Sequence, residues 1–240
     1  MKKIIPILLL SSLIIYSCDK TKTDTSKDSS TTIKKDSIQN ITQAQNELST
    51  AGKEISDFVS NQYQIQYEAE GDLNQDGLPD KALILRKKDD SLAQRKAIIL
   101  LKNPDKTYRS FKISETVFPK EYNEYGYKMH DTEDISIEKG TLNINLYDIG
   151  PNGNQFSKFK YIGGHLILSY IETYNMGAGS HSALYYEPMK GKITLENINT
   201  MEEEMPSTIQ KAQVKKERFL FENVSLDDVV SNAYNSVEKE

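Results

Sequence analysis

The stretch Ile135-Ser136-Ile137-Glu138-Lys139-Gly140-Thr141-Leu142-Asn143-Ile144-Asn145-Leu146 alternates apolar and polar residues on both sides of a Lys-Gly step. Period-two alternation marks a strand with one face buried and the other wet. A two-residue step with glycine supplies the positive φ angles that tight hairpin turns require. The stretch therefore predicts two antiparallel strands. The pattern recurs downstream, where 156–162 and 166–174 flank Gly163-Gly164 and predict a second hairpin. Working outward, Gln64-Ile65-Gln66-Tyr67 alternates, and 82–86 and 97–102 are short apolar runs. The segments 183–186, 193–198 and 218–221 read as later strands.

Helical spacing is confined to the two ends of this strand series. Leu48, Ile55, Phe58 and Val59 fit one face of a helix over 46–61, with Gly52 in its first half. Near the end, Ser225 followed by Asp228 reads as an N-cap with an acidic first turn, and Leu226, Val229, Val230 and Tyr234 share a face of the helix that follows. Strands in succession with helices at the ends predict an α+β fold, predominantly antiparallel β-sheet with an N-terminal helix and a C-terminal helix. There is no long-period repeat.

Composition limits the function classes. The chain has 240 residues, 37 % of them apolar, with one Cys and three His. The single Cys excludes a disulfide framework and any all-Cys metal site. Thirty basic against 35 acidic residues give a net charge of −5, which argues against a nucleic-acid binder.

Met1-Lys2-Lys3 is a short cationic start, and 4–15 is almost wholly apolar. That run falls short of the roughly 20 apolar residues a spanning helix needs and has the pattern of a secretory signal. It ends Leu13-Ile14-Ile15-Tyr16-Ser17-Cys18, with the lone Cys directly after a small residue. This resembles the lipobox of bacterial lipoproteins, although Tyr16 departs from the small or branched residue preferred there. The resemblance implies a signal peptide over 1–17 and acylation of Cys18. The stretch 18–45 is rich in Ser, Thr, Lys and Asp, with Ile33, Ile38 and Ile41 its only large apolar residues. It carries too little apolar surface to offset the entropy of ordering and is expected to be a flexible tether. The remainder, 46–240, is expected to form a single β-rich domain. Loss of Lys2 and Lys3 with the signal would make the mature charge 28 − 35 = −7.

The most chemically informative segment is Gly71-Asp72-Leu73-Asn74-Gln75-Asp76-Gly77-Leu78-Pro79-Asp80. Oxygen donors recur at alternate positions, Asp72, Asn74 and Asp76. A glycine follows where the loop must turn, the Leu78 carbonyl lies beyond it, and Asp80 closes the set. Ca²⁺ takes six to eight oxygens from such groups, and alternate spacing lets a tight loop aim them at one ion. Strand-like flanks make the loop the tip of a β-hairpin. The segment resembles the calcium hairpin of FG-GAP repeats in integrin-type propellers, and single hairpins of this kind in bacterial envelope proteins. The resemblance implies that Asp72, Asn74, Asp76, Leu78 through its carbonyl, and Asp80 bind a structural Ca²⁺. It covers one copy only, so a full propeller is not implied. The EF-hand and dockerin patterns fit less well, since both need a ligand at the twelfth position, which here is Leu83.

Other candidates are weaker. His130, His165 and His181 are scattered and lack metal-ligand spacing. Gly177-Ala178-Gly179-Ser180-His181-Ser182 reads as a flexible loop without a nucleophile elbow. Gly150-Pro151-Asn152-Gly153-Asn154 is turn chemistry, and Glu202-Glu203-Glu204 a solvated face. Most of the 14 Tyr are expected on sheet faces, where a sugar-binding platform is the sharper alternative. The expectation is thus a lipid-anchored protein of the bacterial envelope, at the outer membrane, facing the periplasm or the cell surface. Its domain would bind an envelope protein or glycan, or support the envelope, without catalysis. The alternative is a hydrolase of peptidoglycan or polysaccharide.

Overall fold

The computed structural model of the chain describes residues 49–150 and 153–237. The signal peptide, Cys18, the tether, the first residues of the expected N-terminal helix, and Pro151 and Asn152 lie outside the described residues. The described chain forms β1 (Ala51–Gly52), β2 (Tyr63–Gly71), β3 (Asp80–Lys87), β4 (Lys96–Lys102), β5 (Tyr108–Ser114), β6 (Thr132–Glu138) and β7 (Thr141–Tyr147). It continues through β8 (Asn154–Ile162), β9 (His165–Gly177), β10 (Ser180–Glu187), β11 (Lys192–Asn199) and β12 (Ser207–Gln213), and closes with helix α1 (Leu226–Val237). The strands make two antiparallel sheets, one ordered β1-β5-β4-β3-β2 and the other β12-β11-β10-β9-β8-β7-β6. The fold is mostly antiparallel β with one C-terminal α-helix.

Both predicted hairpins form. Glu138 pairs with Thr141 across Lys139 (φ 49°) and Gly140 (φ 71°). Ile162 pairs with His165 across Gly163 (φ 57°) and Gly164 (φ 78°). Left-handed backbone at both turn positions matches the twist of the flanking strands. In β6 and β7 the apolar half of the alternation, including Ile137, Leu142, Ile144 and Leu146, enters a core shared by both sheets and α1.

The five-stranded sheet is buried on both faces, which explains its unbroken apolar runs. Ala82 and Ile84 of β3, with Ala97, Ile99 and Leu101 of β4, point into the shared core. Leu83, Leu85, Ile98 and Leu100 point the other way and pack with Phe58 and Tyr108.

The expected N-terminal helix is corrected. Among the described residues, 49–62 holds only β1 and a single 3₁₀ turn, Ile55–Phe58. Gly52 is drawn into the sheet opposite Tyr108. The Asp57 carboxylate accepts the N–H groups of Lys53 (2.9 Å) and Glu54 (3.1 Å), capping the start of the turn, and the chain is already extended at Val59. Ile55, Phe58 and Val59, spaced like a helix face, instead cap the outer side of the five-stranded sheet.

Three local readings also change. The segment 218–221 makes only a bridge, Leu220 to Ile167, and covers the part of β9 that β10 does not reach. The segment 177–182 is a tight hairpin turn that enters β10, not a flexible loop. β5 and β12 escape the sequence reading, and β12 buries only Ala212, so alternation never surfaces. At the C-terminus α1 buries Leu226, Val229, Ala233 and Val237, and the Ser225 hydroxyl accepts the Asp228 N–H at 3.3 Å, as an N-cap should.

Candidate functional site

The acidic loop joins β2 to β3, with Gly71 paired to Asp80 at its base. Three of its side chains gather by local hydrogen bonding. The Asp72 carboxylate accepts the N–H groups of Asp76 (3.0 Å) and Gly77 (2.9 Å). Asn74 Oδ1 accepts the Asp76 N–H at 3.1 Å, and Asn74 Nδ2 donates to Asp76 Oδ2 at 2.8 Å. Asp76 Oδ1 accepts the Leu78 N–H at 2.9 Å. Gly77 sits at φ 88° with open space around it, so it serves the turn itself.

Asp80 behaves differently. It is fully buried at the start of β3. Its Oδ2 accepts the N–H groups of Leu73 (2.9 Å) and Asn74 (3.3 Å), and its Oδ1 accepts that of Lys102 at the end of β4 (3.0 Å). Burial pushes its pKa up, while the three backbone N–H groups hold it down. The loop is thereby fastened to β4. It is also wedged against the second sheet: a Cβ on Gly71 would lie 2.5 Å from the Ile137 carbonyl oxygen, and one on Gly140 would lie 2.2 Å from Gln75 Nε2. Leu73 anchors the loop in the shared core.

Two carboxylates, one amide oxygen and the Leu78 carbonyl make a hard-oxygen set suited to Ca²⁺. Among the described residues no three of His, Cys, Asp and Glu are placed to hold a metal ion. An ion here would therefore draw part of its shell from Asn74 and Leu78. Asp80 would join it only through lone pairs its backbone partners leave open.

A second cluster lies between the sheets and was not legible in the sequence. Arg95, just before β4, pairs with Glu133 of β6, both buried. Arg95 Nε donates to the Pro119 carbonyl at 2.7 Å, Nη1 to Gln66 Oε1 at 3.2 Å, and its guanidinium lies 4.5 Å above the Phe118 ring. Burial, and then the Glu133 carboxylate beside it, push the Tyr67 hydroxyl up to about 12. Burial lowers the pKa of nearby His130, against the pull of Glu133 and Asp148. The pairing partners are far apart in sequence, and nothing local signals them.

Beside this cluster a groove of about 410 Å³ is bounded by Gln94, Glu115, Lys120, Tyr122, Asn123 and Asp227, among others. Its lining mixes amide, hydroxyl, ammonium and carboxylate groups. Ser180 and His181, adjacent on β10, point to opposite faces of the strand, and the His181 Nδ1 lies 2.7 Å from the Tyr174 hydroxyl. His130, His165 and His181 stay separate, and Glu202, Glu203 and Glu204 are exposed between β11 and β12. No protein-family model, no curated protein and no solved structure matches the chain.

Proposed function

We propose that this chain is a lipoprotein of the bacterial envelope. Cys18 carries the lipid after removal of 1–17, the stretch 18–45 is the tether, and the β-rich domain performs a non-catalytic binding or envelope-support role at the outer membrane. A Ca²⁺ ion held by Asp72, Asn74, Asp76 and the Leu78 carbonyl, with Asp80 behind them, stabilises the domain by mass action. The observation that carries the reading is the position of the chain's lone cysteine. It closes a cationic-then-apolar leader and is followed by a polar stretch ahead of the folded domain. The fastening of the acidic loop to β4 and to the β6–β7 turn supports a structural role for the ion, since pinning this hairpin pins both sheets. Several acyl chains hold a protein stably, each buried CH₂ contributing about 0.8 kcal/mol.

The test has two readouts. Cys18→Ala should accumulate as an unprocessed precursor that no longer takes up labelled fatty acid, and processing like the native chain refutes the anchor. Thermal melting in Ca²⁺ and then in chelator should show a higher midpoint with the ion, lost in Asp76→Ala. Equal midpoints refute the ion site.

A further inference from the structure

The seven-stranded sheet has one face on the core and α1, and an opposite face that carries an unusual set of rings. Its register places them. Reading straight across the strands, Asp134, Asn145, Phe156, Glu172, Tyr185, Thr194 and Lys211 form one rung that crosses all seven. They occupy the positions alternate to the core-facing residues of each strand and are half-buried or exposed. Two residues along on the same face lie Tyr147 and Tyr174, and two residues the other way lies Tyr170. Five aromatic side chains from four neighbouring strands, β7 to β10, thus share the outer face.

Four of these rings have fixed partners. The Tyr170 hydroxyl donates to Glu172 at 2.7 Å, and the Tyr174 hydroxyl pairs with His181 at 2.7 Å. The Tyr147 and Phe156 rings meet edge to face at 5.2 Å between centroids, and Lys158 Nζ lies 5.3 Å above the Tyr170 ring. Burial and then Glu172 push the Tyr170 and Tyr185 hydroxyls up, so both rings remain neutral over the physiological range. Aromatic contact area that is fixed before binding carries little entropic penalty.

We infer that this outer face binds an extended, uncharged glycan chain lying across the strands. The C–H face of a pyranose packs on an aromatic ring, while its hydroxyls find acceptors and donors in Glu172, Asn145, Thr194 and Lys158. Neighbouring strands stand about 4.8 Å apart, comparable to the length of one sugar unit, so a chain crossing β7 to β10 meets one strand per unit. The carboxylates of Asp134, Glu172 and Glu196 share this face with Lys158, Lys160, Lys192 and Lys211, so it has no basic surplus of the kind a nucleic-acid surface carries and suits an uncharged ligand. An extended peptide would seek a strand edge for backbone pairing, and β7 to β10 are interior strands with both edges paired. The inference rests on the proposed binding role and names its ligand class.

The experiment is isothermal titration of the full chain with two probes, cellohexaose and chitohexaose, followed by chromatography of the recovered sugar. The expected result is saturable binding of at least one hexamer, returned uncleaved. Tyr185→Ala and Tyr170→Phe separate the ring from the hydroxyl: the first should weaken binding at least tenfold, the second by only a few fold. Tyr125→Ala on the remote 123–127 turn should leave affinity unchanged. No binding up to millimolar probe, or a Tyr185→Ala chain that is folded by circular dichroism and binds like the native one, overturns the inference. Binding confined to a strand-forming peptide or a sulfated polysaccharide used as a competitor also overturns it. Cleavage of a bound hexamer would instead refute the non-catalytic role while leaving the glycan face standing, so the two failures are distinguishable.

Discussion

Arg95 and Glu133 form a two-pronged ion pair that water does not reach: Nη1 to Oε2 is 2.5 Å, Nη2 to Oε1 is 2.8 Å, and the side chains are 1 % and 0 % exposed. Glu133 stands on β6, the edge of the seven-stranded sheet, and Arg95 leads into β4 of the five-stranded sheet. The pair therefore ties the two sheets together. Removing one partner leaves an uncompensated buried charge, which typically costs about 3–5 kcal/mol. Glu133→Ala and Arg95→Ala should each lose stability of that order in urea denaturation. Replacing both by apolar residues of similar volume should lose clearly less than the sum.

Tyr67 and His130, near this pair, set opposite pH limits. The folded pKa of Tyr67, about 12, lies above its unfolded value of roughly 10. Its contribution is complete below the unfolded value and is lost as pH rises toward 12. His130 is shifted the other way, so its contribution is complete above roughly pH 6.5 and is lost as pH falls through the folded value. Urea midpoints measured from acid to alkaline pH should fall at both ends. Tyr67→Phe should flatten the alkaline limb, and His130→Gln the acid limb.

Asp80 and Asp76 should separate structural from ion-dependent roles. Asp80→Ala leaves three backbone N–H groups of Leu73, Asn74 and Lys102 without their acceptor and should cost at least about 3 kcal/mol even in chelator, since each buried orphan costs roughly 1–3 kcal/mol. Asp76 is exposed and bonds only within the loop. In chelator Asp76→Ala should change stability by less than about 1 kcal/mol, yet it should abolish any Ca²⁺-induced rise in melting temperature.

Gly71 of β2 lies against the backbone of β6. A methyl group there would press on the Ile137 backbone, which cannot swing aside as a side chain can. Gly71→Ala should destabilise the fold by about 1–3 kcal/mol, as overpacking does. Gly164→Ala meets nothing nearby and bears only the strain of φ 78°, so its loss should be about 1 kcal/mol. Chemical denaturation of the two variants in parallel checks the ordering.

Much of the β architecture was legible because its signals are local. Lys139-Gly140 and Gly163-Gly164 carry their turn geometry in two residues, and the alternation around them states which face is wet. The helix expected over 46–61 misled because Ile55, Phe58 and Val59 have a spacing that one turn against a sheet satisfies as well as a full helix does. Ser207–Gln213 was missed because an edge strand with a single buried side chain has no apolar pattern to read.

By itself the sequence determined the strand-rich class, the two hairpins, the C-terminal helix cap and the alternate oxygen donors of 72–80. Each depends on residues within a few positions of one another. Only the tertiary structure decided that β2 and β6 stand together, that Arg95 meets Glu133, that Asp80 turns to the backbone of β4, and that five rings share one sheet face. Those relationships join residues separated by tens of positions. They are set by which surfaces the two sheets bury against each other, and no local spacing encodes that choice.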